Sequence, residues 1–195
     1  MKIIAITGSI AVGKSVVSKL INDLGYSVFD ADKCVKRQYL FNYNMISKIK
    51  EQFPQIVVNN RIDKNLLKDK IFSNHEARKK LENIVHPIVR AKFKKFISKS
   101  ALNGQEIVFA DIPLLYETGW DKYCEYVVNI KTNIDTQLNR VIKRDNMSIE
   151  LFEKIKKSQL DMDEKSNRAD FIISNNNKTI KNLKIDVINI IEMIS

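Results

Sequence analysis

Apolar residues recur along this chain in two rhythms. Short β-branched or aromatic runs occur in Met1–Thr7, Tyr26–Phe29, Glu106–Asp111, Tyr126–Ile130 and Asp170–Ser174, and each reads as a strand buried on both faces, the habit of a parallel sheet. Between them the spacing lengthens to that of a helix. Val16, Val17, Leu20, Ile21 and Leu24 mark one helix over Lys14–Leu24, stopped by Gly25, and Thr179–Ile194 marks another at the far end of the chain. Asn133–Asn146 predicts a helix after the fourth strand, and the charged stretches Ser148–Lys157 and Met162–Arg168 predict two more that form a mobile lid.

Cys34–Lys99 is largely helical by pattern, with a break from Phe53-Pro54 to Asn60. Asp63 caps a helix containing Leu66, Leu67, Ile71 and Phe72, and Asn74 caps one containing Ala77, Leu81, Ile84 and Val85. His86-Pro87 is expected to open a third, Ile88–Ile97, because proline's missing N–H costs nothing in a first turn. The expected organisation is one α/β domain. Residues 1–32, 104–145 and 168–195 form a nucleotide-binding core, 33–103 a helical substrate-binding insertion, and 146–167 the lid.

Composition narrows the class without naming a partner. A chain of 195 residues, 44% hydrophobic, with 5 Gly and 3 Pro, has the makings of a packed core and not of a disordered or collagen-like polymer. Cys34 and Cys124 cannot build a disulfide framework, and neither has a Cys or His at zinc-ligand spacing. No apolar run approaches the roughly 20 residues that cross a bilayer. A cytoplasmic protein without a membrane partner is the expectation. The net charge of +10 invites a nucleic-acid reading, but 26 Lys, 28 Ile and 19 Asn make up more than a third of the chain. That is the bias of an AT-rich coding background, so no nucleic-acid partner is expected. Against so much lysine the seven arginines gain interest, because only guanidinium grips phosphate oxygens bidentately.

The strongest chemical signal is Gly8-Ser9-Ile10-Ala11-Val12-Gly13-Lys14-Ser15, which fits G-x-x-x-x-G-K-[ST] between a strand and a helix. Such a loop wraps an anion with successive backbone N–H groups and the helix N-terminus; Lys14 bridges β- and γ-phosphates and Ser15 offers a hydroxyl to Mg2+. Asp30 and Asp32 follow the second strand, where the ligand crevice of a parallel sheet lies. Either suits a general base for an attacking hydroxyl, and either also suits a helix cap or a magnesium-associated role. Asp111, ending the third strand, has the Walker B form of a Mg2+-holding carboxylate. Arg140 and Arg144, four apart on one helix face, suit a phosphate clamp. His86, at a helix junction, reads as a structural hydrogen-bonder or as a catalyst.

Taken in order, these segments resemble the dephospho-CoA kinase family over nearly the whole chain. The likeness rests on Gly8–Ser15, Asp30-Ala31-Asp32-Lys33, Val85-His86-Pro87-Ile88-Val89-Arg90, Asp111-Ile112-Pro113-Leu114-Leu115-Tyr116-Glu117, then Gln137, Arg140, Arg144 and Asp145, and finally Arg168-Ala169-Asp170-Phe171-Ile172-Ile173-Ser174-Asn175. It implies a P-loop NTPase three-layer fold with a five-stranded parallel sheet, a helical CoA-binding region and a lid. It further implies transfer of the ATP γ-phosphate to the 3′-hydroxyl of dephospho-CoA with Mg2+, by a monomer or weak homo-oligomer. By the same resemblance Ala11, Val12, Gly13, Lys14, Ser15 and Val16 bind the ATP phosphates, Asp32 is the base, and Arg140 contacts the transferring phosphate. Arg144 and Asn175 join the nucleotide site; His86, Arg90 and Leu115 join Asp32 at the acceptor; Ser15 and Asp111 hold the metal. Where the family commonly has Gly, Gly, Ser and Thr, this chain has Ser9, Ala11, Val12 and Val16. Val16 lacks the hydroxyl that a threonine offers to the α-phosphate.

Overall fold

Five parallel strands lie in the order β2-β5-β1-β6-β7: β1 (Lys2–Thr7), β2 (Ser27–Asp30), β5 (Ile107–Asp111), β6 (Tyr126–Lys131) and β7 (Phe171–Ser174). They belong to a computed structural model that describes residues 1–59, 61–145 and 147–195, leaving aside the side chains of Lys64, Lys68, Phe72, Ser73, Arg144 and Asp145. The first strand sits in the middle because Ile4 and Ile6 on one face and Ala5 and Thr7 on the other are all fully buried. On the first face Ile4, Ile6, Phe109, Val128, Ile130 and Ile173 pack against α1 (Lys14–Asp23) and α9 (Ile180–Ile194), through Val17, Leu20, Ile21, Leu183, Val187 and Ile191. Helices on both faces of a parallel sheet make the three-layer α/β arrangement of a P-loop NTPase.

The chain divides into two units, 1–30 with 100–195 and 31–99. The first holds the sheet, α1, α6 (Ile134–Asp145), α7 (Ile149–Lys157), α8 (Met162–Arg168) and α9. Helix α8 packs on β6, where Asn129 Nδ2 donates to Ser166 Oγ at 3.0 Å in a fully enclosed spot.

The second unit runs through α2 (Ala31–Phe41), α3 (Tyr43–Gln52), the two-residue strands β3 (Val57–Val58) and β4 (Arg61–Ile62), α4 (Lys64–Ser73) and most of α5 (His75–Leu102). Met45, Ile46, Ile49, Phe53, Ile56, Leu67, Leu81, Val85, Val89 and Phe93 are among its buried apolar residues. Phe72, expected on the apolar side of its helix, has its side chain outside the described residues. The caps fall where the sequence places them: Asp63 Oδ1 accepts from Asn65 and Leu66 N–H, and Asn74 Oδ1 from Ala77 N–H. A short antiparallel β3–β4 pair, separate from the central sheet, falls at the expected break. One expectation needs correction: Pro87 does not open a helix but lies inside the 28-residue α5. A proline there removes one backbone bond at a cost of about 3 kcal/mol. Burial of Leu81, Val85, Val89 and Phe93 along one stripe on both sides of it keeps the helix going.

Candidate active site

The loop between β1 and α1 is shaped by what holds its carbonyls. Lys14 Nζ donates to the Gly8 and Ser9 oxygens at 2.7 and 3.1 Å. Gln137 Nε2 donates to the Ile10 oxygen at 2.8 Å, Arg140 Nη1 to those of Ala11 and Val12 at 3.2 and 3.0 Å, and Asn175 Nδ2 to that of Val12 at 2.8 Å. In a trans peptide each C=O points opposite to the next residue's N–H. The N–H groups of Ala11, Val12 and Gly13 are therefore turned away from Gln137, Arg140 and Asn175, toward the mouth of α1. That helix has no acidic residue in its first turn to compete for an anion. Together these groups have the arrangement that an anion cradle requires.

Two glycines are obligatory here. Gly13 has φ 100° and Gly8 φ 143°, and a Cβ at either would drive into Asn175 Nδ2 or the Ile130 carbonyl. Ala11 also takes a positive φ, 58°, which costs an L-residue about 1–2 kcal/mol and stands because its neighbours are pinned. Ser15 and Val16 begin α1 exposed, Val16 at 37%.

The carboxyl ends of the central strands bring acids beside the loop. Asp30 and Asp111 are register partners on β2 and β5, and Asp111 is also paired with Ile6 of β1. Asp111 is nearly buried, and its Oδ2 accepts from Ser18 Oγ at 2.7 Å. Ser18 was missed in the sequence although it lies one helical turn beyond Lys14-Ser15, on the same face. Among the described residues no group of three His, Cys, Asp or Glu side chains forms a metal cage. Mg2+ does not ask for one, since it binds through one or two hard protein oxygens, phosphates and water. The Ser15 hydroxyl at the start of α1 and the Asp111 carboxylate oriented by Ser18 fit that need.

Arg140 stands on α6 and spends a third N–H on the Asn175 carbonyl at 3.1 Å. Its guanidinium puts positive charge directly behind the loop. Asn175 is 3% exposed; its own N–H donates to the Lys131 carbonyl at 2.7 Å, and Thr132 Oγ1 donates to its oxygen at 2.8 Å. Gln137, 1% exposed, was noted in the sequence only as part of the resemblance. The side chains of Arg144 and Asp145 lie outside the described residues.

Helix α8 is held firmly. Lys165 is fully buried; its Nζ meets Glu117 Oε1 at 2.8 Å and the Pro113 carbonyl at 2.9 Å, and the same Glu117 oxygen accepts from Leu160 N–H at 2.7 Å. Arg168, in the last turn of α8, lies over the Tyr116 ring at 4.1 Å, and burial, opposed by Arg168, pushes the Tyr116 phenol up to about 12. Leu115, expected at the acceptor, is fully buried.

In the second unit Asp32 lies in the first turn of α2, exposed, two residues beyond the Asp30 that closes β2. Arg78, Glu82, His86 and Arg90 follow each other at four-residue intervals along α5, with Arg78 Nε bonded to Glu82 Oε1 at 2.9 Å. Burial lowers the His86 pKa below its ordinary 6.5, a shift that Glu82 opposes and Arg90 and Arg78 reinforce.

The fold and the loop define a P-loop NTPase domain, and the family it falls in makes it an ATP-dependent kinase. The dephospho-CoA kinase family profile matches residues 2–181, and the chain belongs to that family. The dephospho-CoA kinase of Bartonella henselae is 37% identical over 192 residues, covering 98% of this chain and 97% of its own. Among solved structures, TT1252 from Thermus thermophilus aligns over 100% of this chain and 98% of its own with TM-score 0.87 and 31% identity. The dephospho-CoA kinase from Campylobacter jejuni aligns over the same shares with TM-score 0.71 and 32% identity.

Proposed function

We propose that this chain transfers the γ-phosphoryl group of ATP to the 3′-hydroxyl of dephospho-CoA, yielding CoA and ADP, the last step of coenzyme A synthesis. One observation supports the reading: in a chain of this family, every loop carbonyl from Gly8 to Val12 is tied back, which leaves the opposed Ala11–Gly13 N–H groups to a phosphate.

The acceptor oxygen attacks the γ-phosphorus, the bond from that phosphorus to the β–γ bridging oxygen breaks, and the hydroxyl proton passes to the Asp32 carboxylate. Ala11–Val16 hold the phosphates, and Lys14 turns from the Gly8 and Ser9 carbonyls to the β- and γ-oxygens. Arg140 supports the loop and contacts the transferring group; Asn175 shapes the nucleotide end of the site, to which Arg144 is also assigned. His86 and Arg90 bind the acceptor. Ser15 and Asp111 hold Mg2+, which when bound neutralises charge on the phosphate oxygens. The lid excludes water, so that the hydroxyl and not solvent is phosphorylated.

The proposed setting is cytoplasmic, with ATP and dephospho-CoA as partners, no nucleic acid or membrane, and a monomer or weak homo-oligomer. Among the described residues no helix is long and apolar enough to cross a membrane. Asp32→Asn tests the chemistry. It is expected to bind both substrates with calorimetric affinities close to the parent and to lose turnover by about 100-fold or more; near-parental turnover removes Asp32 from the base role.

A further inference from the structure

We propose that Gln159, in the turn between α7 and α8, is a positioning residue that holds the γ-phosphate edge of the loop and couples it to the lid. The inference rests on the reading of the site as a phosphoryl-transfer centre. Gln159 Oε1 accepts from the Ile10 N–H at 3.0 Å. That N–H belongs to the same peptide as the Ser9 carbonyl held by Lys14 Nζ at 3.1 Å. Lys14 marks the β- and γ-phosphate side of such a loop. One peptide is thus gripped at its oxygen by the phosphate-binding lysine and at its hydrogen by the lid.

The arrangement matters most when ATP is bound. As Lys14 leaves the Ser9 carbonyl for the phosphates, the Gln159 bond remains to fix that peptide, while Gln137 fixes the next one through the Ile10 oxygen at 2.8 Å. Immediately beyond lies Ala11 with φ 58°, a strained turn that relaxes if its neighbours are released. Relaxation turns the N–H groups of Ala11 and Val12 off the anion and displaces the γ-phosphorus from in-line geometry, to which transfer is steeply sensitive.

Gln159 itself has a fixed base. The next residue's N–H, Leu160, donates to Glu117 Oε1 at 2.7 Å, and that oxygen is paired with the fully buried Lys165. On the other side Gln159 N–H donates to the Lys156 carbonyl at 3.1 Å, closing α7. Helix α8 is anchored and α7 ends at Lys157, two residues before Gln159, so the side chain ties the turn between the two helices to the loop. A cavity of about 290 Å3, whose lining includes Ser9, Glu153, Lys156, Gln159, Asp161 and Met162, lies beside the contact.

When the coupling fails, water replaces the acceptor hydroxyl: its oxygen takes the γ-phosphoryl, ADP leaves, and orthophosphate and a proton are released. The test measures ADP, orthophosphate and phosphorylated acceptor in parallel, with Mg2+, ATP and dephospho-CoA, for the parent, Gln159→Met and Gln159→Glu. Methionine keeps the length but removes the acceptor oxygen; glutamate keeps the oxygen. Gln159→Met is expected to lower kcat for transfer by about tenfold, shift the KM for ATP by less than about threefold, and raise the share of ADP that ends as orthophosphate by about fivefold or more. Gln159→Glu is expected to keep the parental share of product while raising the KM for ATP through its charge. A Gln159→Met enzyme with parental kcat and parental product share overturns the proposal. A parent that transfers nothing to the acceptor instead overturns the functional reading, and with it this role. Gln159→Ala, with its thermal melting, serves the same comparison if the methionine variant does not fold.

Discussion

Asn175 Nδ2 donates to the Val12 carbonyl at 2.8 Å, in the space that a Cβ on Gly13 would need. A residue just past the chain's last strand thus decides which way a loop near its start faces. Asn175→Asp sets a carboxylate oxygen against that carbonyl and places negative charge behind the phosphate cradle. Calorimetry should show ATP affinity falling by about tenfold or more, because a repulsive buried contact costs on the order of 1–3 kcal/mol. Asn175→Ala should lose less, since Arg140 still serves the same oxygen at 3.0 Å.

Val16 stands 37% exposed in the first turn of α1, where family members commonly carry a threonine. Val16→Thr adds a hydroxyl within the anion site without disturbing the core. A hydrogen bond to a charged oxygen contributes about 1.5–3 kcal/mol, so the KM for ATP should fall by about tenfold with kcat nearly unchanged. An unchanged KM means that the α-phosphate does not reach this position.

Burial lowers the His86 pKa in the folded chain below the 6.5 of the free side chain. Between those two values the unfolded chain binds more proton, so the stability contributed by neutral His86 is complete above pH 6.5 and is lost as pH falls through the lowered folded value. Chemical denaturation of the parent and His86→Gln should therefore show the parent's relative stability declining from about pH 7.5 to about pH 5. A difference that stays constant over that range contradicts the assignment.

The sequence made the sheet legible because each strand is a short apolar run, three of them ending at a glycine or an acid, and Asp63 and Asn74 announced their helices through capping chemistry. Pro87 misled because its local preference for a helix start yields to the buried stripe Leu81–Val85–Val89–Phe93 that continues past it. In the site, the glycines, Lys14 and Ser15 follow from the motif alone. Ser18, Gln137 and Gln159 did not, since each acts through one hydrogen bond to a partner whose position only the fold supplies: Asp111, the Ile10 carbonyl and the Ile10 N–H. Arg140 was legible as a phosphate-seeking arginine, whereas its three bonds to loop and strand carbonyls depend on β7 lying beside β6.

The central claim is the acceptor. Purified protein with Mg2+ and ATP should be offered dephospho-CoA, AMP and dTMP in parallel, with ADP release followed and the dephospho-CoA product examined by phosphorus NMR. The account predicts ADP release that depends on dephospho-CoA, matched one for one by a new phosphomonoester on the ribose 3′-oxygen. Faster ADP release with AMP or dTMP, or release that yields only orthophosphate, would contradict it.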